Sequence, residues 1–151
     1  MRHRSRLVAA LILGAAALPG ASAAPVAGAD VTITATGLRS ARGQLLACLT
    51  ADPGQFPNCR DPARTWHLVV PAAATVELHF TGITPGRYAV ALLHDENGNG
   101  KIDRALMLVP TEGFGFSSDA PVVMGPPKFA AAAFTVAAEP VRQTIHMRYL
   151  L

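Results

Sequence analysis

Gly82-Ile83-Thr84-Pro85-Gly86-Arg87-Tyr88-Ala89-Val90-Ala91-Leu92-Leu93-His94-Asp95 is a turn that runs into a strand. Pro85 and Gly86 are set for type II geometry, in which proline presets one corner and glycine takes the positive φ of the next. From Tyr88 to Leu93 every side chain is apolar or aromatic. A strand that lacks polar alternation is expected to be buried on both faces. This one ends in an acidic loop.

Outward from this strand the chain reads as further short strands separated by turn residues. Val31, Ile33 and Ala35 alternate with Thr32, Thr34 and Thr36, a period of two in β-branched residues. Gln44 to Thr50 is a second, more apolar strand. Thr65 to Val70 and Thr75 to Phe80 follow, the latter with Val76, Leu78 and Phe80 on one face. Leu106 to Val109 and Phe134 to Val136 are short strand candidates. Arg142 to Leu150 alternates again, with Ile145, Met147 and Tyr149 sharing a face. Pro110 to Pro127 reads as a long, mostly irregular segment, either functional or packed as an ordered flap. The alanine run near Ala130 offers at most a helical turn. About seven strands with turns between them indicate an all-β fold, an antiparallel β-sandwich of the Ig-like or transthyretin-like kind.

The N-terminus has a basic start (Arg2, Arg4, Arg6), an apolar run from Leu7 to Leu18, and small residues at Ala21-Ser22-Ala23. That order marks residues 1–23 as a secretory signal peptide. The apolar run is shorter than the ~20 residues a membrane helix needs, so no stable membrane anchor is expected after cleavage. Residues 24–151 form one domain. The formal charge of +3 comes from 13 basic and 10 acidic residues. Three of the basic residues lie in the signal, so the remaining chain is neutral. Nucleic acid is therefore not an expected partner. The two cysteines, Cys48 and Cys59, are expected to form a disulfide in the periplasm or outside the cell.

Asp95-Glu96-Asn97-Gly98-Asn99-Gly100-Lys101-Ile102-Asp103 places oxygen-bearing side chains at alternate positions, then a glycine, then a carboxylate. This is the spacing of the first half of a calcium loop. Asp95, Asn97, Asn99, the Lys101 carbonyl and Asp103 are the metal-site candidates. The twelfth position is Leu106 rather than glutamate, and no flanking helix is evident, so an EF-hand is excluded. Glu96, Glu112 or Asp119 would have to supply a missing carboxylate. An ion-free turn built on Asx bonds explains the same residues. Both readings stand at this level, with calcium as the only cofactor suggested.

His94, Glu112, Phe114 and Phe116 flank this loop and are the binding-surface candidates. An exposed Gly113-Phe114-Gly115-Phe116 would make an apolar patch, whereas buried rings would pin the long segment to the sandwich. Trp66 is expected in the core. His67, His79 and His146 lack metal-ligand spacing. Ser117-Ser118-Asp119 lacks a nucleophile elbow. No Walker loop or dinucleotide fingerprint is present.

His94 to Asp103, Pro110-Thr111-Glu112-Gly113-Phe114-Gly115-Phe116-Ser117, Gly125-Pro126-Pro127, Phe129 and Ala133-Phe134, in that order, resemble the bacterial exported family called domain of unknown function 2141. The resemblance extends over nearly all of the chain beyond the signal. Arg104-Ala105-Leu106-Met107 departs from the pattern after the acidic loop. The resemblance implies a small secreted or periplasmic β-sandwich and supplies no activity.

The expected function is that of a non-enzymatic exported β-sandwich that binds a ligand or envelope partner, with calcium clamping the loop. The alternatives are a small hydrolase using carboxylates around His94, and a purely structural envelope protein.

Overall fold

The computed structural model describes residues 27–105 and 109–151. The expected signal peptide and most of the Leu106 to Val109 strand candidate lie outside the described residues. Ten strands are present among the described residues: β1 (Ala29–Thr36), β2 (Gln44–Thr50), β3 (Thr65–Pro71), β4 (Thr75–Ile83), β5 (Gly86–Asp95), β6 (Arg104–Ala105), β7 (Val109–Pro110), β8 (Gly113–Phe116), β9 (Phe134–Val136) and β10 (Val141–His146). One short helix, α1 (Phe129–Ala132), occupies the alanine run. The fold is an all-β sandwich.

β6 and β7 form a two-stranded ribbon; of the two larger sheets among the described residues, one has the order β10-β1-β4 and the other β3-β2-β5-β8, with β9 also paired to β5. The core lies between them. Val31, Ile33 and Ala35 of β1 face Leu45, Ala47 and Leu49 of β2 and Tyr88, Val90 and Leu92 of β5. Each fully buried Val, Leu or Ile contributes about 1.5–3 kcal/mol by leaving water. The period of two seen in the sequence places these residues inward.

β5 is covered on both faces, as its composition implied. Its inward residues join the main core, while Ala89 and Ala91 face a second cluster made by Phe56, Phe114, Phe116, Ala120 and Ala132. Two partners share its edge. Gly86 to Tyr88 pair with β9, and Ala91 to His94 pair with β8.

Three expectations need correction. The turn before β5 is not type II with a left-handed Gly86: the positive φ, +66°, belongs to Gly82 instead. The sandwich is not wholly antiparallel, because β10 runs parallel to β1. Trp66 is 41% exposed on the edge strand β3 and meets Tyr88 edge-to-face at 5.8 Å. Pro110 to Pro127 is mostly irregular, with β8 and a 3-10 turn at Ser117–Asp119 within it.

After β10 the chain leaves its sheet. Met147 still donates to the Thr36 carbonyl at 2.8 Å. Arg148 then exchanges two backbone hydrogen bonds with Phe114, at 2.8 and 3.0 Å. The C-terminal segment thus ties the two sheets together along one side. The glycines of β8 make this approach feasible: a β-carbon at Gly115 would lie 2.6 Å from Ile145 Cγ2, and one at Gly113 would overlap the Tyr149 ring. The Gly-Phe-Gly-Phe alternation therefore puts space inward and aromatic bulk outward.

Candidate functional site

The acidic loop leaves β5 from its outer face. Asp95 is fully buried, and its carboxylate accepts hydrogen bonds from Gln44 Nε2 at 2.8 Å, Gly100 N at 2.7 Å and Asn99 N at 3.1 Å. These bonds hold its pKa below the usual value although burial pushes the other way. Asn97 Oδ1 accepts from Asn99 N at 3.0 Å, and Asn99 Oδ1 from Lys101 N at 2.8 Å. The Asn97 and Asn99 side-chain amides both donate to Asp103. This is the Asx-turn arrangement. Among the described residues no three His, Cys, Asp or Glu side chains converge as a metal set.

Of the carboxylates considered as extra ligands, only Glu112 joins the loop. It accepts from Glu96 N at 3.2 Å and Asp103 N at 3.0 Å. Burial, followed by the nearby charges of Asp103 and Asp95, raises its pKa. Glu96 turns away to Arg39 and to the Ser40 hydroxyl at 2.7 Å. Asp119 pairs with His146 and Arg148.

His94 is also fully buried. Its Nε2 meets the Arg42 carbonyl at 2.9 Å, so that nitrogen carries the hydrogen. Nδ1, in the neutral ring, then accepts from the Tyr149 hydroxyl at 2.7 Å, and Tyr149 in turn accepts from Arg39 N at 3.2 Å. Both ring nitrogens are thus committed away from Asp103 and Glu112, the partners that a carboxylate hydrolase around His94 would use. Ser117 is buried as well, and its hydroxyl bonds to Val90 N and the Ala132 carbonyl. His67 Nε2 contacts the Thr65 hydroxyl at 2.7 Å, His79 Nδ1 contacts the Thr32 hydroxyl at 3.4 Å, and His146 pairs with Asp119.

The four binding-surface candidates, His94, Glu112, Phe114 and Phe116, are all buried, so the two rings make no exposed patch. Phe114 and Phe116 instead form part of the floor of a cleft of about 640 Å³ on the outer face of the second sheet. The register explains this floor. Leu46, Leu93 and Phe114 lie side by side across β2, β5 and β8, as do Cys48, Ala91 and Phe116. The disulfide loop and the 122–126 segment supply walls. Gly100, Ile102 and Arg104, from the acidic loop and its exit, supply another. The Cys48–Cys59 disulfide is formed, anchoring its loop to the floor.

The cleft was missed in the sequence because its walls come from three separate loops. One signal was available: β2 and β5 are apolar at outward as well as inward positions, so their outer face had to be covered or used.

Comparisons with curated proteins and with solved structures return no match to this chain. Residues 33–144 match the family described as an uncharacterised protein conserved in bacteria, domain of unknown function 2141, and the chain belongs to that family.

Proposed function

We propose that this protein is an exported, non-enzymatic binding module whose outer cleft holds a small apolar ligand. The observation that carries this reading is the cleft itself, about 640 Å³ and lined mainly by apolar side chains over a rigid sheet. Ligand sites are commonly concavities of about 300–1,000 Å³ with a few polar groups at the edge. Ile102, Met124 and Leu150 are exposed apolar residues, and all three line this cleft. Such side chains at a concave mouth favour binding over a purely structural role. Export to the periplasm or medium is supported by the signal-like N-terminus and by the disulfide, a bond that persists in oxidising compartments.

Calcium enters this reading as a stabiliser of the wall that carries Gly100 and Ile102. Asp103 is clasped by asparagine amides that can turn their oxygens toward an ion, and Glu112 lies behind it. Binding in the ~10⁻⁴–10⁻³ M range typical of extracellular modules would stabilise the fold by mass action. Melting temperature should rise with millimolar calcium and not with Asp103→Asn. Equal melting in calcium and chelator discards the ion and leaves the cleft.

The cleft is tested with N-phenyl-1-naphthylamine, a neutral fluorophore that brightens in apolar surroundings. Saturable one-to-one binding is expected, lost in Leu46→Trp, which fills the floor, and weakened in Ile102→Glu at the rim. Circular dichroism confirms that both variants fold. Absence of saturable binding, or full binding by folded Leu46→Trp, overturns the proposal.

A further inference from the structure

The lining of the cleft is unequal in charge. Among its described residues Arg104 is the only permanently charged side chain, and none is a carboxylate. The carboxylates of the neighbouring loop are directed elsewhere. Asp95 is held by Gln44 and backbone amides, Asp103 by Asn97 and Asn99, Glu112 by two backbone amides, and Glu96 by Arg39. Arg104 itself has no acidic partner among the described residues. It stands on β6, at the edge of an otherwise apolar enclosure, with His67 of β3 among the few other polar lining residues.

An unpaired guanidinium at the edge of an apolar cleft is complementary to one negative charge at the end of an apolar body. The guanidinium offers a planar set of donors suited to a carboxylate. We infer that the cleft is selective for small amphipathic anions, with the apolar body on the Leu46, Leu93 and Phe114 floor and the anionic head at Arg104. This inference rests on the proposed binding role of the cleft and adds the ligand class.

The test uses three ligands with one chain length: decanoate, decanol and decylamine, each below its aggregation concentration. Affinities are measured by calorimetry and by displacement of N-phenyl-1-naphthylamine. Decanoate should bind most tightly, about two- to fivefold better than decanol, the range set by a partly exposed ion pair. Decylamine should bind least well. In Arg104→Gln, decanoate and decanol should become equal. Added salt should erode the decanoate advantage.

Equal binding of acid and alcohol to the unmodified protein overturns the anion inference while leaving the cleft in place. So does a decanoate advantage that survives Arg104→Gln. Failure of all three ligands and of the neutral fluorophore overturns the binding role itself. Arg104 is exposed and outside both hydrophobic clusters, so the substitution should leave the fold intact, which its melting temperature verifies.

Discussion

The Ser117 hydroxyl accepts the Val90 amide hydrogen at 2.8 Å and donates its own to the Ala132 carbonyl at 2.6 Å. Val90 falls between the last β5 residue named in the β9 register, Tyr88, and the first in the β8 register, Ala91. The buried hydroxyl therefore satisfies an amide where one strand partner gives way to the next. Ser117→Ala leaves that amide without its partner in a fully buried position, which costs about 1–3 kcal/mol. Ser117→Thr keeps the hydroxyl but adds a methyl to a closed site. The measurement is urea unfolding of both variants; an alanine variant as stable as the parent removes this role.

Gly113 faces the ring of Tyr149, and a β-carbon there would overlap it. That ring is committed by its hydrogen bonds to Arg39 and His94 and by the Arg39 guanidinium 4.5 Å from its centroid. Moving the ring aside would break these contacts. Gly113→Ala is expected to cost about 1–3 kcal/mol by overpacking. Gly98→Ala provides the contrast. Gly98 has φ +72° and open space around its α-carbon, so only the left-handed backbone penalty of about 1–2 kcal/mol applies. The double variant Gly113→Ala/Tyr149→Ala separates the two causes, since removal of the ring should cancel much of the clash despite its own cost. Strictly additive losses would show that the ring is not the obstacle.

The strands were legible because each has an interior that obeys its own period. Val31, Ile33 and Ala35, or Val76, Leu78 and Phe80, are inward on pattern alone, and β5 announced two buried faces by composition. What covers its outer face was not legible. Phe56, Phe116 and Ala132 are far apart in sequence, and their meeting is a tertiary event. The parallel pairing of β10 with β1 was hidden for the same reason, since a strand's alternation carries no direction. The acidic loop was readable in part. Its alternating oxygens predicted Asx bonds, which are present, whereas the recruitment of Glu112 and the departure of Glu96 toward Arg39 depend on neighbours from distant segments. The cleft lies at the far end of this scale, since only its floor is written in strands.

The Cys48–Cys59 bond closes a loop with a sequence separation of 11 and fixes it beside the cleft. A loop of that size contributes about 3 kcal/mol in the chain-entropy model. Phe56 within it meets Phe116 and Phe129 edge-to-face at 5.7 and 6.1 Å. Cys48→Ala/Cys59→Ala should lower stability by about 2–3 kcal/mol and also weaken the binding of N-phenyl-1-naphthylamine, because Pro57 and Asn58 line the cleft. A stability loss with unchanged fluorophore affinity would separate the disulfide from the cleft and confine it to the fold.

Glu96 gives the fold an acid dependence of predictable sign. The hydrogen bond from Arg39 is the largest influence on its carboxyl; the Ser40 hydroxyl and the Arg39 charge add to it against burial, and together they hold its pKa at about 2 against an ordinary 4.5. The unfolded chain takes up this proton more readily than the folded one. Its stabilising contribution is therefore complete above pH 4.5 and is lost as pH falls toward about 2. Glu112 has the opposite sign: burial raises its pKa, so its contribution is present at low pH and declines as pH rises through its folded value. Glu96→Gln isolates the first effect. Arg39 is 40% exposed on its side chain, so screening reduces the loss at pH 7 to about 1 kcal/mol. The loss should shrink toward zero as pH approaches 2, making the stability curve flatter than that of the parent. Urea midpoints measured across that range decide it; parallel curves for the two proteins would mean that the Arg39–Glu96 pair does not couple protonation to folding.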